Sequence, residues 1–132
     1  MLEIKPIQTK EEQEKICKLC EVDYDSDCLA YSAKEGEKLL GVSQFRIFGE
    51  YAVIYDLKNA VGVDDLEALI ITGKATLNFI DLCGVKDVII KSENQNSKNL
   101  PKILGFKKDA DGVNKINLEG YFESPCQNHT HG

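Results

Sequence analysis

The sharpest chemical spacing in this chain belongs to its cysteines and histidines. Cys17-x-x-Cys20 and Cys126-x-x-His129 together carry the intervals of a four-ligand zinc site, with His131 in reserve. The plainer reading is packing. Cys17 and Cys20 extend the apolar stripe of a predicted helix, where a free cysteine acts as a small hydrophobe. Structural zinc pairs usually come from turns, where both thiolates converge. A redox dithiol is disfavoured, because that motif opens a helix after a strand, where the helix dipole lowers the thiol pKa. Arg46 is the sole arginine. A guanidinium can grip a substrate carboxylate or phosphate bidentately. With 22 acidic residues in the chain, one of its own carboxylates is the expected partner.

Charge and size bound what these groups can serve. The chain has 132 residues and a formal charge of −6, with a pI near 4.9. That length suits one domain and can bury about two-thirds of its unfolded surface. We expect a single domain over 1–122 and an irregular tail over 123–132. Hydrophobic residues make up 42%, too many for a disordered chain. The acidic balance excludes a sequence-blind nucleic-acid binder, which needs a cationic face, and a polybasic membrane anchor. The longest apolar run, Tyr51 to Tyr55, is far below the roughly 20 residues of a membrane span. No basic head and apolar stretch open the sequence, so no signal peptide is expected. Five cysteines, an odd number, then read as reduced thiols in a cytoplasm.

The elements that would position these residues follow from periodicity. Leu2 to Ile7 alternates as a strand. Thr9 caps a helix whose stripe is Ile16, Cys17, Leu19 and Cys20, ending near Val22. The acidic turn Asp23-Tyr24-Asp25-Ser26-Asp27 follows. A meander is predicted from Cys28 to Ala33, Leu39 to Phe48 and Tyr51 to Asn59, turning at Lys34–Glu37 and Gly49-Glu50. Phe45, Phe48, Tyr51 and Tyr55 are expected to fill its faces. Asp64 and Asp65 open a long helix to Cys83. Its inner face is predicted as Leu66, Leu69, Ile70, Gly73, Leu77 and Ile80, with Ile71, Phe79 and Leu82 beside it. Gly73 there reads as a close approach of helix to sheet. Val85 to Lys91 is a central strand. Ser97 to Leu104 is a short helix interrupted by Pro101, and Gly105 to Phe122 a last hairpin.

This order, with Asn94 ten positions before Leu104-Gly105-Phe106 and a strand after it, resembles the GNAT N-acetyltransferase superfamily. The resemblance implies an α/β fold (α+β in stricter terms). It would be a mixed, mostly antiparallel sheet with helices on both faces. It implies an N-acyltransferase that carries acetyl or another acyl group from acyl-CoA to a small-molecule or peptide amine. The cofactor would lie where the fourth and fifth strands splay. Asp56, and second Glu93, would be the base that takes the ammonium proton. Asn94 would hydrogen-bond the cofactor, and main-chain groups of Leu57 and Asn59 would line the pantetheine arm. Of the pyrophosphate loop, only Gly62 could take part.

Two departures from the family pattern stand in the sequence. Asp64, Asp65 and Glu67 place carboxylates where a pyrophosphate would sit; they suit a helix cap and repel a polyphosphate. Pro101 occupies the position of a tyrosine that serves many members as general acid. Three other readings stay open. Asp56 and Glu93 can be solvated strand-end carboxylates, and Asn94 a turn residue. The chain can be a catalytically inactive GNAT-fold binding or regulatory module. It can be a small interaction domain stabilised by zinc on Cys17, Cys20, Cys126 and His129. Dimerisation through sheet edges is common in this fold, which leaves a homodimer open.

Overall fold

The computed structural model describes residues 1–91 and 99–122. Its strands are β1 (Leu2–Pro6), β2 (Leu29–Glu35), β3 (Lys38–Ile47), β4 (Tyr51–Asn59), β5 (Asp87–Ile90), β6 (Lys107–Lys108) and β7 (Asn114–Asn117). The helices are α1 (Lys10–Leu19), α2 (Leu66–Leu82) and α3 (Leu100–Leu104). The strands form one sheet in the order β1-β2-β3-β4-β5-β7-β6. Every neighbouring pair is antiparallel except β4 and β5, which run parallel. The expected mixed, mostly antiparallel sheet is therefore what the chain adopts.

Alternation along β3 decides which helix covers which face. Val42 packs with Ile16 and Cys20 of the α1 region. The next positions on either side look the other way. Gly41 abuts Leu69, and Ser43 shares a 2.8 Å hydrogen bond with Thr76 of α2. So α1 and α2 lie on opposite faces. The Thr9 hydroxyl accepts from Glu12 N at 3.1 Å and starts α1 as its sequence predicts.

The long helix opens at the expected acidic pair. Asp65 is its cap, with the carboxylate accepting from Ala68 N at 3.0 Å. Its buried stripe keeps Leu69, Gly73, Leu77 and Ile80 as predicted, and extends to Ala68, Thr72 and Thr76. Leu66 is 37% exposed and Leu82 76% exposed, while Thr72 and Thr76 are fully buried. The two threonines lose no hydrogen bonds by burial, because Thr72 donates to Ala68 O at 2.6 Å and Thr76 bonds Ser43. Gly73 is the close approach its sequence position suggested. A Cβ there would stand 2.8 Å from Leu104 Cδ1 and 3.1 Å from Leu57 Cδ2.

Pro101 does not interrupt a helix. It sits in the first turn of the five-residue α3, where its missing N–H removes no helical bond. Gly105 then turns left-handed at φ +104°, and buried Leu104 and Phe106 flank it. Phe48 and Tyr51 are a second correction. They flank the Gly49-Glu50 turn as a stacked, partly exposed pair, 5.1 Å between ring centres, outside the core. Among the described residues no helix is long and apolar enough to cross a membrane.

Candidate functional site

The parallel pairing of β4 and β5 ends at Ile54 opposite Ile90, closed by Lys91 N donating to Ile54 O at 2.8 Å. β4 continues to Asn59 beyond that point. There β4 carries a bulge. Phe45 pairs with Ile54, but Gln44 pairs with Asp56, which leaves Tyr55 as the extra residue. A bulge puts two successive side chains on one face. Tyr55 and Asp56 accordingly line one cleft of about 600 Å³ with Asp23, Tyr24, Asp25 and Ser26 of the segment between α1 and β2. Without the bulge, strict alternation would send Asp56 toward α2.

A buried amide holds Asp56 in place. Gln44, wholly buried, donates from Nε2 to Asp56 Oδ2 at 2.9 Å and to Asp23 O at 2.8 Å. Its Oε1 accepts from Gln13 Nε2 at 2.9 Å and from Asp25 N at 3.2 Å. Gln13 is itself buried, and its Oε1 accepts from Lys10 Nζ at 3.2 Å. Lys10 also donates to Cys28 O. The acidic segment is thus tied to α1, β3 and β4 by side chains.

Burial and the neighbouring Asp23 and Asp25 carboxylates raise the pKa of Asp56 above that of an ordinary aspartate; the Gln44 hydrogen bond and Lys58 oppose the rise. The result is a carboxylate more basic than usual, two residues beyond the last β4–β5 pair, Ile54 and Ile90. That is the property a general base needs.

The proposed cofactor contacts divide into two groups. Leu57 and Asn59 do lie on the part of β4 beyond its pairing with β5, and both are buried. Asn59's side chain has a structural task. It donates to Leu40 O at 3.0 Å and Asp65 O at 3.1 Å, and accepts from Asp65 N at 3.3 Å. Gly62 takes a left-handed turn at φ +83° with open space beside it. Around Gly62 three backbone amides are already used. Ala60 N donates to Leu40 O, Val61 N to Leu19 O and Val63 N to Ala60 O. With Asp65 capping α2, the helix N-terminus does not fit a diphosphate.

Glu93 and Asn94 lie outside the described residues, as do Cys126, His129 and His131. Cys17 and Cys20 have no exposed surface. Burial pushes the Cys17 thiol up to about 11 and the Cys20 thiol to about 12. These are packed, protonated thiols. Among the described residues no group of three or more His, Cys, Asp or Glu is placed to hold a metal ion. Arg46 meets Asp27 at 3.6 Å and lies 4.7 Å over the Phe48 ring, so its partner is one of the chain's own carboxylates. Sequence reading missed Gln44 and the carboxylates of Asp23 and Asp25 as parts of the site. The run of acids was visible as a turn, but nothing in it showed which way it would fold.

No family model matches the sequence, and no curated protein sequence matches it. Solved structures do match it in shape. The chain is similar to the ribosomal-protein-S18-alanine N-acetyltransferase of Escherichia coli, with TM-score 0.65 at 12% identity over 88% of this chain and 90% of that one. It is similar to the PaiA N-acetyltransferase of Thermoplasma acidophilum in complex with coenzyme A, with TM-score 0.64 at 11% identity, covering 89% and 99%. A GNAT-family acetyltransferase of Streptococcus pneumoniae gives 0.62 at 17% identity over 92% of each chain. The chain therefore has the fold of the GNAT N-acetyltransferases, as its element order implied.

Proposed function

We propose that the protein is a GNAT-type N-acyltransferase that moves an acyl group from acyl-CoA to a primary amine entering the acidic cleft. The observation that supports this best is the placement of Asp56. A β-bulge turns this half-buried, unusually basic carboxylate into a cleft at the point where β4 leaves β5. An amine arrives as ammonium, and the Asp23, Asp25 and Asp56 carboxylates attract it. Asp56 takes one proton, directly or through water, and frees the lone pair for attack on the acyl carbonyl. Bound acyl-CoA would supply that carbonyl as a thioester: the C–N bond would form as the C–S bond breaks, and the departing thiolate would take up, through water, the second proton the amine nitrogen loses. The acceptor is a small-molecule or peptide amine. In this reading Glu93 is the second candidate base and Asn94 the cofactor contact. The free thiols favour a reducing, cytoplasmic setting. A homodimer is compatible with it.

One observation favours a second reading, a GNAT-shaped module that binds without catalysis. The α2 N-terminus is capped by Asp65, and the Ala60, Val61 and Val63 amides of the loop before it are already hydrogen-bonded. Calorimetry and thermal shift with acetyl- and longer acyl-CoA separate the two. The enzyme reading expects saturable binding, and acyl transfer to amines that Asp56→Asn lowers about 10²- to 10⁴-fold. No heat and no thermal shift at millimolar acyl-CoA would leave the binding module.

A further inference from the structure

Gln44 has no exposed surface, yet every hydrogen-bonding group of its amide is used. Both Nε2 protons go to acceptors, Asp56 Oδ2 and Asp23 O. Oε1 takes protons from Gln13 Nε2 and Asp25 N. Reversing the amide would set oxygen against a carboxylate and a carbonyl, and NH₂ against two donors. The network therefore permits one orientation. The same polarity runs on through the next residues. Lys10 donates to Gln13, Gln13 to Gln44 and Gln44 to Asp56, so an ammonium and a carboxylate terminate one directed chain. Hydrogen bonds aligned in this way strengthen one another in a dry interior.

We propose that Gln44 is the positioning residue of this site, locking the Asp56 carboxylate and the backbone of Asp23 and Asp25 into one geometry. The inference rests on the reading of Asp56 as the base. Two requirements select glutamine. The site needs a donor pair facing Asp56 and Asp23 O, and an acceptor facing Gln13 and Asp25 N. Glutamate supplies only the second, and sets a second carboxyl against Asp56. An apolar residue supplies neither and strands buried polar groups, which is costly. The amide thus fixes the floor of the cleft and one wall together. An ammonium seated between Asp56 and the 23–25 segment would meet both at fixed separation.

Asp56 is faced by Gln44 from β3, Lys58 and Tyr55 from β4, and Asp23, Tyr24 and Asp25 from the segment after α1. Cys17 and Cys20 of the α1 region and Cys28 before β2 feel its charge. Among the groups that act on Asp56, Gln44 and Lys58 favour its ionised form, whereas burial, Asp23 and Asp25 oppose it. Removing the Gln44 donor leaves mainly the opposing ones.

The test is an NMR titration of the aspartate side-chain carboxyl carbons in the full chain, alongside an acyl-transfer assay across pH. In Gln44→Met the Asp56 midpoint moves to higher pH. The acid limb of kcat/KM moves with it, so activity falls on the acid side of the profile while activity at pH 9 changes less. An unchanged midpoint overturns the proposal. Should Gln44→Met fail to fold, Gln44→Glu keeps the shape and the acceptor oxygen. It is expected to titrate with Asp56 in two separated steps, and a single unshifted step overturns the proposal. The titration needs neither acyl-CoA nor an amine. A shifted midpoint with a silent assay sustains Gln44 and removes the enzyme reading. A working enzyme with an unshifted midpoint does the reverse.

Discussion

Asn59 and Asp65 hold each other twice. Asn59 Nδ2 donates to Asp65 O at 3.1 Å, and Asp65 N donates to Asn59 Oδ1 at 3.3 Å. The clasp closes the loop between β4 and α2 into a turn, and leaves the Asp65 carboxylate to cap the helix. An anion site would need that same helix end bare. Asp64→Asn, Asp65→Ser and Glu67→Gln together remove three negative charges, while the introduced serine hydroxyl still caps the helix. Stability should fall by about 1–3 kcal/mol, because each carboxylate near the helix dipole is worth roughly 0.3–1 kcal/mol. If each carboxylate repels the diphosphate by roughly 0.2–1 kcal/mol, as exposed charges do, coenzyme A affinity should rise about three- to 150-fold. Calorimetry checks it. Equal affinity in both proteins would show that the carboxylates do not oppose the cofactor.

Gly73 gives a packing prediction whose sign is decided by competition. Alanine gains about 1 kcal/mol of helix propensity over glycine. Against that, the new methyl would stand 2.8 Å from Leu104 Cδ1 and 3.1 Å from Leu57 Cδ2, both buried. Overpacking of a filled core costs about 1–3 kcal/mol. Gly73→Ala should therefore be less stable by about 1 kcal/mol. Combined with Leu104→Ala, it should lose less than the two single changes added, because the space it needs has been vacated. Urea denaturation of the four proteins measures the coupling. Strict additivity would mean that α3 already yields freely.

How much of the site the sequence exposed can be argued from one hairpin. The two-residue turn Gly49-Glu50 was legible, and counting back from it pairs Phe45 with Ile54 correctly. One step further the count pairs Gln44 with Tyr55, and the structure pairs it with Asp56. A bulge has no signature in residue type here, so the partner of the best candidate base was hidden. Element order was legible because periodicity is local. The α2 stripe was legible at Leu69, Gly73, Leu77 and Ile80, but not at Thr72 and Thr76, which satisfy their hydroxyls inside the fold and so stand where pattern expects apolar residues. The Lys10–Gln13–Gln44–Asp56 chain joins residues up to 46 positions apart by number, and no spacing rule reaches across elements in that way.

The cysteines separate packed thiols from reactive ones. Cys17, Cys20 and Cys28 are buried, with thiols pushed up to about 11, 12 and 12. Cys83, at the end of α2, is exposed. The thiolate is the reacting species, so at pH 8 the buried three are silent on both counts. Iodoacetamide followed by peptide mapping should mark Cys83 within minutes and the other three only after denaturant. Rapid labelling of Cys17 or Cys20 in the native protein would show that α1 opens readily, and would revive them as metal ligands.

Asp56 carries opposed effects on stability and activity. Its carboxyl titrates above the ordinary aspartate value of 3.8 once folded. Between those two values the native chain holds a proton that the unfolded chain has released. Its contribution to stability is therefore complete below the unfolded pKa, and is lost as pH rises through the folded one. Above that, the native state keeps a desolvated carboxylate near Asp23 and Asp25. Asp56→Asn removes the charge, and the Asn carbonyl can still accept from Gln44. The variant should melt higher than the parent at pH 8, with the gap closing toward pH 4. Acyl transfer, which needs the base, should fall about 10²- to 10⁴-fold. A variant that melts lower at pH 8, or a gap that does not depend on pH, would mean the carboxylate is well solvated. It would then be an ordinary strand-end acid with no elevated basicity to use.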